Sequence, residues 1–346
     1  MSAPENRGRM PLESEMTRPF LNIPDAVNID TPAIKPVREF EICNHLLDDH
    51  DGLEGFYEEN GYLFFRNILD PESVAYARDE MLAIAADVFG LIEKGDIAAR
   101  WTGKPLENWS EDSPVFSGIS RRLVEHPRNL AMLENILGEP ACMVPNVQYR
   151  LYPPNGPITV VHQDGFYSPG IKDFKPLWIP LVPCPREVGG LMVAVGQHKR
   201  GYYHNIAKPS PFPIPQGVID DDSWATTDYE PGDLLVVHPC SPHGGTPNRS
   251  DRLRVTLDTR VQSAARPSAF AGTVRFVTPN SITLETDNEA IGTVTLSVGE
   301  DTFIRVINPG KREAFEGFAD YTKPGMHLLA VKDGDHAVML RCGTQP

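Results

Sequence analysis

Nowhere does the chain hold an apolar run approaching the roughly 18 residues a membrane-spanning helix needs. Its opening, MSAPENRGRM, also lacks the apolar core of a secretory signal. Cysteine is scarce: Cys43, Cys142, Cys184, Cys240 and Cys342 are odd in number, scattered, and form no C-x-x-C pair. That argues against a disulfide framework or a structural zinc site, and Cys240, three residues before His243, has no further zinc donors around it. Positive charge is in deficit, with 32 Lys and Arg against 47 Asp and Glu, a net charge of −15. Such a balance does not suit nucleic acid or an anionic membrane as partner. The expectation is a cytoplasmic, loop-rich, largely β protein.

What is present is globular in proportion, 40% hydrophobic and 23% charged, with 33 prolines that point to many turns in a mainly β chain. The length of 346 residues suits about two domains. Residues 1–36 show no periodicity and read as an extended or partly disordered arm. Residues 37–267 form the first domain. Leu53, Phe56 and Tyr57 at helical spacing precede Asn60-Gly61, and Tyr62–Phe65 reads as a buried strand. Asp70-Pro71 opens a helix with Val74, Ala77, Met81, Leu82, Ala85, Val88 and Phe89 on its apolar face; a second runs from about Pro127 to Gly138. Between them, Trp101–Ser117 is expected to be a long loop of the kind that serves as a lid.

Short strands follow: Val147–Tyr152, Ile158–His162, Pro176–Leu181, Gly190–Val195, Asp233–His238 and Leu253–Val261. Their spacing predicts a barrel or jelly roll buttressed by the helices. Small residues and Pro267 mark a boundary, and residues 268–346 alternate cleanly, with Val274 and Phe276 on one face, then Ile282 and Leu284, and Val294, Leu296 and Val298. About five strands there predict a small closed barrel without a catalytic constellation, assigned a packing role or that of a homo-oligomer contact.

Two passages place polar residues in otherwise buried strands. In Val160-Val161-His162-Gln163-Asp164-Gly165, residues i and i+2 of an extended chain face one side, so His162 and Asp164 project together. A second histidine from Val237-His238-Pro239-Cys240-Ser241-Pro242-His243-Gly244-Gly245 would complete the two-histidine, one-carboxylate arrangement of non-haem Fe(II) oxygenases. In Leu253–Val261 the even positions are polar and the odd ones mainly apolar. The polar face meets either solvent or a cavity; in the second case Arg254 offers a fork to a carboxylate.

From about Gly52 to Val261 these residues resemble the phytanoyl-CoA dioxygenase family of Fe(II)/2-oxoglutarate oxygenases. The resemblance rests on Phe56–Leu63, on His162-Gln163-Asp164, on Trp178 with Gly189-Gly190 and Gly196–Gly201, and on His243–Ser250 followed by Arg254. It implies a double-stranded β-helix, that is, a cupin-like jelly roll with supporting helices. It further implies that His162, Asp164 and His243 are both metal ligands and catalytic, that Arg254 holds the 5-carboxylate of 2-oxoglutarate, and that Gln148 and Trp178 lie around that co-substrate. Gly245 stands where the family often has serine. His243 is preferred to His238 because its following glycines and its spacing to Arg254 match the motif. His198 and His204 are expected to be loop residues.

The implied chemistry uses Fe(II), 2-oxoglutarate and O2, with ascorbate as an expected stimulant, and releases succinate and CO2 while a small organic substrate of secondary metabolism is oxidised. Related halogenases carry a small residue at the position of Asp164, so a carboxylate there implies hydroxylation, desaturation or cyclisation. The competing class is a non-oxidative cupin-like metal-binding protein or isomerase, which would not need Arg254 in line with His243.

Overall fold

The computed structural model describes residues 27–107, 114–168, 170–205, 213–289, 291–307 and 322–343. The first 26 residues of the expected arm, and Trp109 in the expected lid, lie outside them. Residues 27–36 are hydrogen-bonded to the body: Ile29 N–H donates to Ile214 O at 2.9 Å, and Thr31 Oγ1 accepts from Val161 N–H at 3.0 Å.

Helices form where caps and apolar spacing coincide. Helix α1 (His50–Asn60) starts at Asp49, whose carboxylate accepts from Gly52 N–H, and stops at Gly61 in the left-handed region, φ +79°. Helix α2 (Pro71–Asp87) is capped by Asp70, which accepts from Ser73 N–H at 2.8 Å, and buries Val74, Ala77, Met81, Leu82 and Ala85. The expected loop gives way to helix α3 (Pro114–Val124), which buries Ile119 and Leu123. Pro114, read as loop punctuation, occupies the first helical position, where a missing N–H costs nothing. Helix α4 (Pro127–Leu137) ends at Gly138, φ +76°.

The fold is mainly β. Eight strands build two antiparallel sheets: β1 (Tyr62–Phe65), β2 (Ala141–Tyr152), β3 (Lys175–Pro180), β4 (Leu191–Ala194), β5 (Trp224–Ala225), β6 (Leu234–Val237), β7 (His243–Gly245) and β8 (Arg254–Ser263). One sheet has the order β1-β6-β3-β8-β2 and the other β5-β4-β7. The odd-numbered Val255, Leu257 and Val261 of β8 join the helical residues Leu53, Met81 and Leu133 in the main core. That leaves the even positions for the opposite face. The expected strand Ile158–His162 is reduced to one bridge, His162 to His243, after the turn-rich Pro153-Pro154-Asn155-Gly156-Pro157. A short helix, α5 (Asp164–Tyr167), follows directly.

Six further strands, one more than expected, are β9 (Ala269–Thr278), β10 (Ser281–Thr286), β11 (Thr293–Ser297), β12 (Phe303–Ile307), β13 (His327–Asp333) and β14 (His336–Gly343). They run in the order β11-β10-β9-β13-β14-β12, and a β11–β14 pairing, Ser297 with His336, closes a small barrel. Phe270, Val274, Ile282, Leu284, Leu296 and Leu340 fill it. Phe276 departs from the expected alternation. Thr283 pairs with Phe276 but Leu284 with Val274, so Arg275 is bulged out of the ladder. The bulge turns Val277 towards the core and leaves Phe276 72% exposed.

Body and barrel meet across a third apolar cluster. Val144, Ile171 and Phe174 pack there against Ala269, Leu329, Val331 and Met339. Gln262 reinforces the junction, donating to Ala269 O and accepting from Ser268 N–H and Ala269 N–H.

Candidate active site

The His162–His243 bridge juxtaposes two chain segments 81 positions apart through reciprocal backbone hydrogen bonds of 2.9 Å each. In both histidines Nδ1 lies 2.9 Å from a backbone carbonyl two residues earlier, Val160 O for His162 and Ser241 O for His243. A carbonyl only accepts, so Nδ1 carries the proton in each ring and Nε2 keeps its lone pair. The rings stand 4.3 Å apart between centroids, and His162 Nε2 is 3.5 Å from Asp164 Oδ1. One donor atom from each of His162, Asp164 and His243 lies within 4.8 Å of the others.

Gln163 explains how the H-x-D segment is aimed. Its backbone is extended, φ −126° and ψ 122°, so its neighbours project to one side and its own side chain to the other. There it is fully buried and saturated: Nε2 donates to Gly201 O at 2.8 Å and Cys240 O at 2.7 Å, and Oε1 accepts from Tyr203 N–H at 2.8 Å. The middle residue of the motif is thus an anchor, which the spacing argument alone does not reveal.

The remaining histidines stay out of the site. His238 accepts from Cys240 N–H at 3.0 Å and lies against Tyr57 and His198. His198 bonds Glu58 O, and His204 accepts from Gln163 N–H and stacks on Phe166 at 4.1 Å; both are fully buried, His198 in a short 3-10 turn and His204 in a loop.

The even face of β8 lines the pocket holding the cluster, with Arg254, Thr256, Asp258 and Arg260 in sequence along its wall. Gln148 and Trp178 line it too, each registered against Asp258. Gln148 accepts from Arg150, which also donates to Asp258 at 2.9 Å. Arg254 is 2% exposed. Its Nη1 donates to Thr246 O at 3.0 Å and Gly190 O at 3.3 Å, and its guanidinium lies 4.4 Å above the Tyr152 ring. Burial pushes its pKa down. Among the described residues it has no ion-pair partner, and its Nε has no acceptor. A side chain at Gly245 would crowd it, since a Cβ there would sit 3.2 Å from Arg254 Nη2.

Arg260 stands six positions beyond Arg254, about 20 Å further along an extended strand. The pocket runs the length of the strand, however, and Arg260 Nη2 sits 3.1 Å from both oxygens of Asp164. Burial alone would raise the Asp164 carboxyl, but the Arg260 guanidinium against both its oxygens holds it well below the usual carboxylate range. Burial, with His162 adding to it, pushes His243 down to about 4, so its imidazole is neutral near pH 7. A neutral His243 imidazole and an ionised Asp164 carboxylate are donor states that a divalent metal needs. The buried Thr256 Oγ1, Asp258 Oδ1, Thr259 Oγ1 and Arg260 Nε have no partners among the described residues. A wall of this kind is completed by water or a polar ligand.

The site therefore defines a protein with a buried two-histidine, one-carboxylate cluster beside an unpaired buried arginine. The family model described as phytanoyl-CoA dioxygenase (PhyH) matches residues 57–256. The chain is 33% identical over 254 residues to the 1-deoxypentalenic acid 11-beta-hydroxylase of Streptomyces arenae, covering 67% of this chain and 88% of that protein. It is 24% identical over 242 residues to the peroxisomal phytanoyl-CoA dioxygenase of Homo sapiens, covering 60% and 67%. Among solved structures, EctD from S. alaskensis with 2-oxoglutarate and 5-hydroxyectoine aligns over 73% of this chain and 89% of that chain, with a TM-score of 0.48 and 17% identity. The chain belongs to the phytanoyl-CoA dioxygenase family. It is an oxidoreductase enzyme, as the hydroxylase and dioxygenase names of its relatives require. Among the described residues no helix is long and apolar enough to cross a membrane.

Proposed function

We propose that residues 37–267 form an Fe(II)- and 2-oxoglutarate-dependent oxygenase of double-stranded β-helix (jelly-roll) architecture, with residues 268–346 as an accessory barrel. Its reaction inserts one oxygen atom into a C–H bond of a small organic substrate of secondary metabolism, while 2-oxoglutarate and O2 become succinate and CO2. The observation that carries this reading is Arg254: a buried guanidinium without an ion pair, in the same pocket as the His162, Asp164 and His243 cluster. A buried cation in that position calls for an anion, and the two carboxylates of 2-oxoglutarate span from such a cation to a metal.

His162, Asp164 and His243 would hold Fe(II), which supplies the oxidative chemistry when bound. Arg254, fixed by Thr246 O and Gly190 O, binds the far carboxylate and orients the dicarboxylate. Trp178 and Gln148 shape its flank. Similarity to a hydroxylase named for 1-deoxypentalenic acid supports hydroxylation of a small organic molecule. Succinate formation from 2-oxoglutarate with Fe(II) in air, with ascorbate added to keep the iron ferrous, tests the reading. Metal binding without any succinate would favour the non-oxidative cupin-like class instead.

A further inference from the structure

Among the described residues the barrel has no metal-ligating cluster of its own, yet one of its side chains reaches the pocket wall. Arg341 on β14 is 7% exposed and donates from Nη1 to Asn146 Oδ1. Asn146 lies in an irregularity of β2: pairing with β8 holds at Val144–Arg260, lapses, and resumes at Gln148–Asp258, leaving β2 with two extra residues. Pro145 has no N–H to give the ladder. The Asn146 carbonyl, released from pairing, accepts from Arg260 Nη1 at 3.1 Å. The other terminal nitrogen of Arg260 straddles the two Asp164 oxygens. Hydrogen bonds thus run unbroken from Arg341 through Asn146 and Arg260 to Asp164. The apolar cluster of Val144, Phe174, Ala269, Leu329 and Met339 holds the two bodies together beside them.

We propose that the barrel completes the metal centre: Arg260 is a positioning residue that sets the rotation of the Asp164 carboxylate, and Arg341 sets Arg260 by pinning the bulge at Asn146. The inference rests on the metal-binding reading above. A carboxylate on a short side chain turns freely about its last bond unless both oxygens are engaged, and partners behind a metal ligand fix which lone pair meets the metal. Arg260 engages both oxygens while leaving each a lone pair. Without Arg341 the Asn146 amide loses its partner in a buried place, and the bulge that presents its carbonyl is free to relax. Arg260 and Arg341 lie outside residues 57–256, the stretch the family model matches, whereas Asn146 and Asp164 lie within it.

Anaerobic titration of the full-length protein with Co(II) tests the idea, read by calorimetry and by the visible absorption of the bound metal, which reports ligand number and geometry. Arg260→Met should weaken Co(II) binding about ten- to a hundredfold. Arg341→Met and Asn146→Ala should each weaken it about three- to thirtyfold and alter the spectrum in the same way. Arg341→Lys should restore part of the loss. In the Arg260→Met background, Arg341→Met should add nothing, because the two act in series. Should Arg341→Met fail to fold, Arg341→Lys and Asn146→Ala carry the comparison. Unchanged affinity and spectrum in Asn146→Ala and the Arg341 variants would overturn the role of the barrel, as would independent, additive losses. A wild-type chain that binds no Co(II) would take down the metal reading and this inference together.

Discussion

Arg254 and Arg260 stand six residues apart on one strand, and both present guanidiniums to the same pocket; one rests on backbone carbonyls and the other on the Asp164 carboxylate. The pair divides the site into a cationic end without a counter-ion and a cationic end that already has one. On the proposed function, an incoming dicarboxylate is directed to the first.

Arg254→Ala should weaken 2-oxoglutarate binding about ten- to a hundredfold, the loss of one charge-assisted interaction. Arg254→Lys keeps the charge without the fork and should fall between the two. Calorimetry with metal-loaded, oxygen-free protein makes the measurement, and metal affinity should hardly move. Arg252, paired with Glu187 at 3.1 Å in the approach to β8, is the proper control. Equal loss from Arg252→Ala would indicate general electrostatics rather than a seat for the carboxylate.

His243→Ala should abolish metal binding, whereas His238→Ala should leave stoichiometry intact, because His238 is engaged by Cys240, Tyr57 and His198. Metal content after dialysis decides it. The reverse pattern would assign the ligand to the wrong histidine.

Gln163→Leu removes the partner of two carbonyls and one N–H, all buried. Each orphaned group costs about 1–3 kcal/mol, so a clear fall in Tm is expected together with weaker metal binding. A variant that loses metal while keeping the parent Tm, or the reverse, would separate the anchoring role from the aiming one.

Thiol reactivity should follow burial. Burial pushes Cys43 up to about 11 and Cys184 to about 12, so their thiolates are rare near pH 8. Iodoacetamide should leave both unlabelled in the native protein and label them on unfolding, as mapped by peptide mass. Rapid native labelling of either would show that its segment opens locally.

The barrel bulge makes a cheap test of register. Phe276→Ser should change stability by no more than about 0.5 kcal/mol, while Leu284→Ala on the filled side should cost about 2–5 kcal/mol. Urea unfolding of both variants compares them directly.

Two simple periodicities made part of the site legible in the sequence: an extended H-x-D puts His162 and Asp164 on one side, and Arg254 falls on the polar face of an alternating strand. His243, by contrast, was singled out over His238 by the resemblance to the family's motif. The helices were readable at Asp70-Pro71, where a capping carboxylate precedes a first-turn proline, and at Pro127, where a first-turn proline opens the apolar spacing. What was hidden depends on breaks in periodicity. The Asn146 irregularity changes what β2 presents to Arg260, and the Arg275 bulge reverses Phe276 and Val277; neither leaves more than a proline or nothing at all in the sequence. The place of Arg260 in the site was hidden because it depends on the length of the pocket beside β8, which the sequence does not show. Gln163 carried no signal, since a saturated buried glutamine looks the same on paper as a solvated one.

The buried arginines also shape how ligands arrive. A molecule with a net charge of −15 surrounds itself with a cation atmosphere and repels dianions at a distance, while under the proposed function Arg254 attracts them within the pocket. Added salt collapses the outer repulsion over about 8–10 Å but scarcely reaches a desolvated contact. Rising ionic strength should therefore speed the entry of the dicarboxylate and leave its escape almost untouched, so that binding tightens in conditions that loosen most ionic complexes.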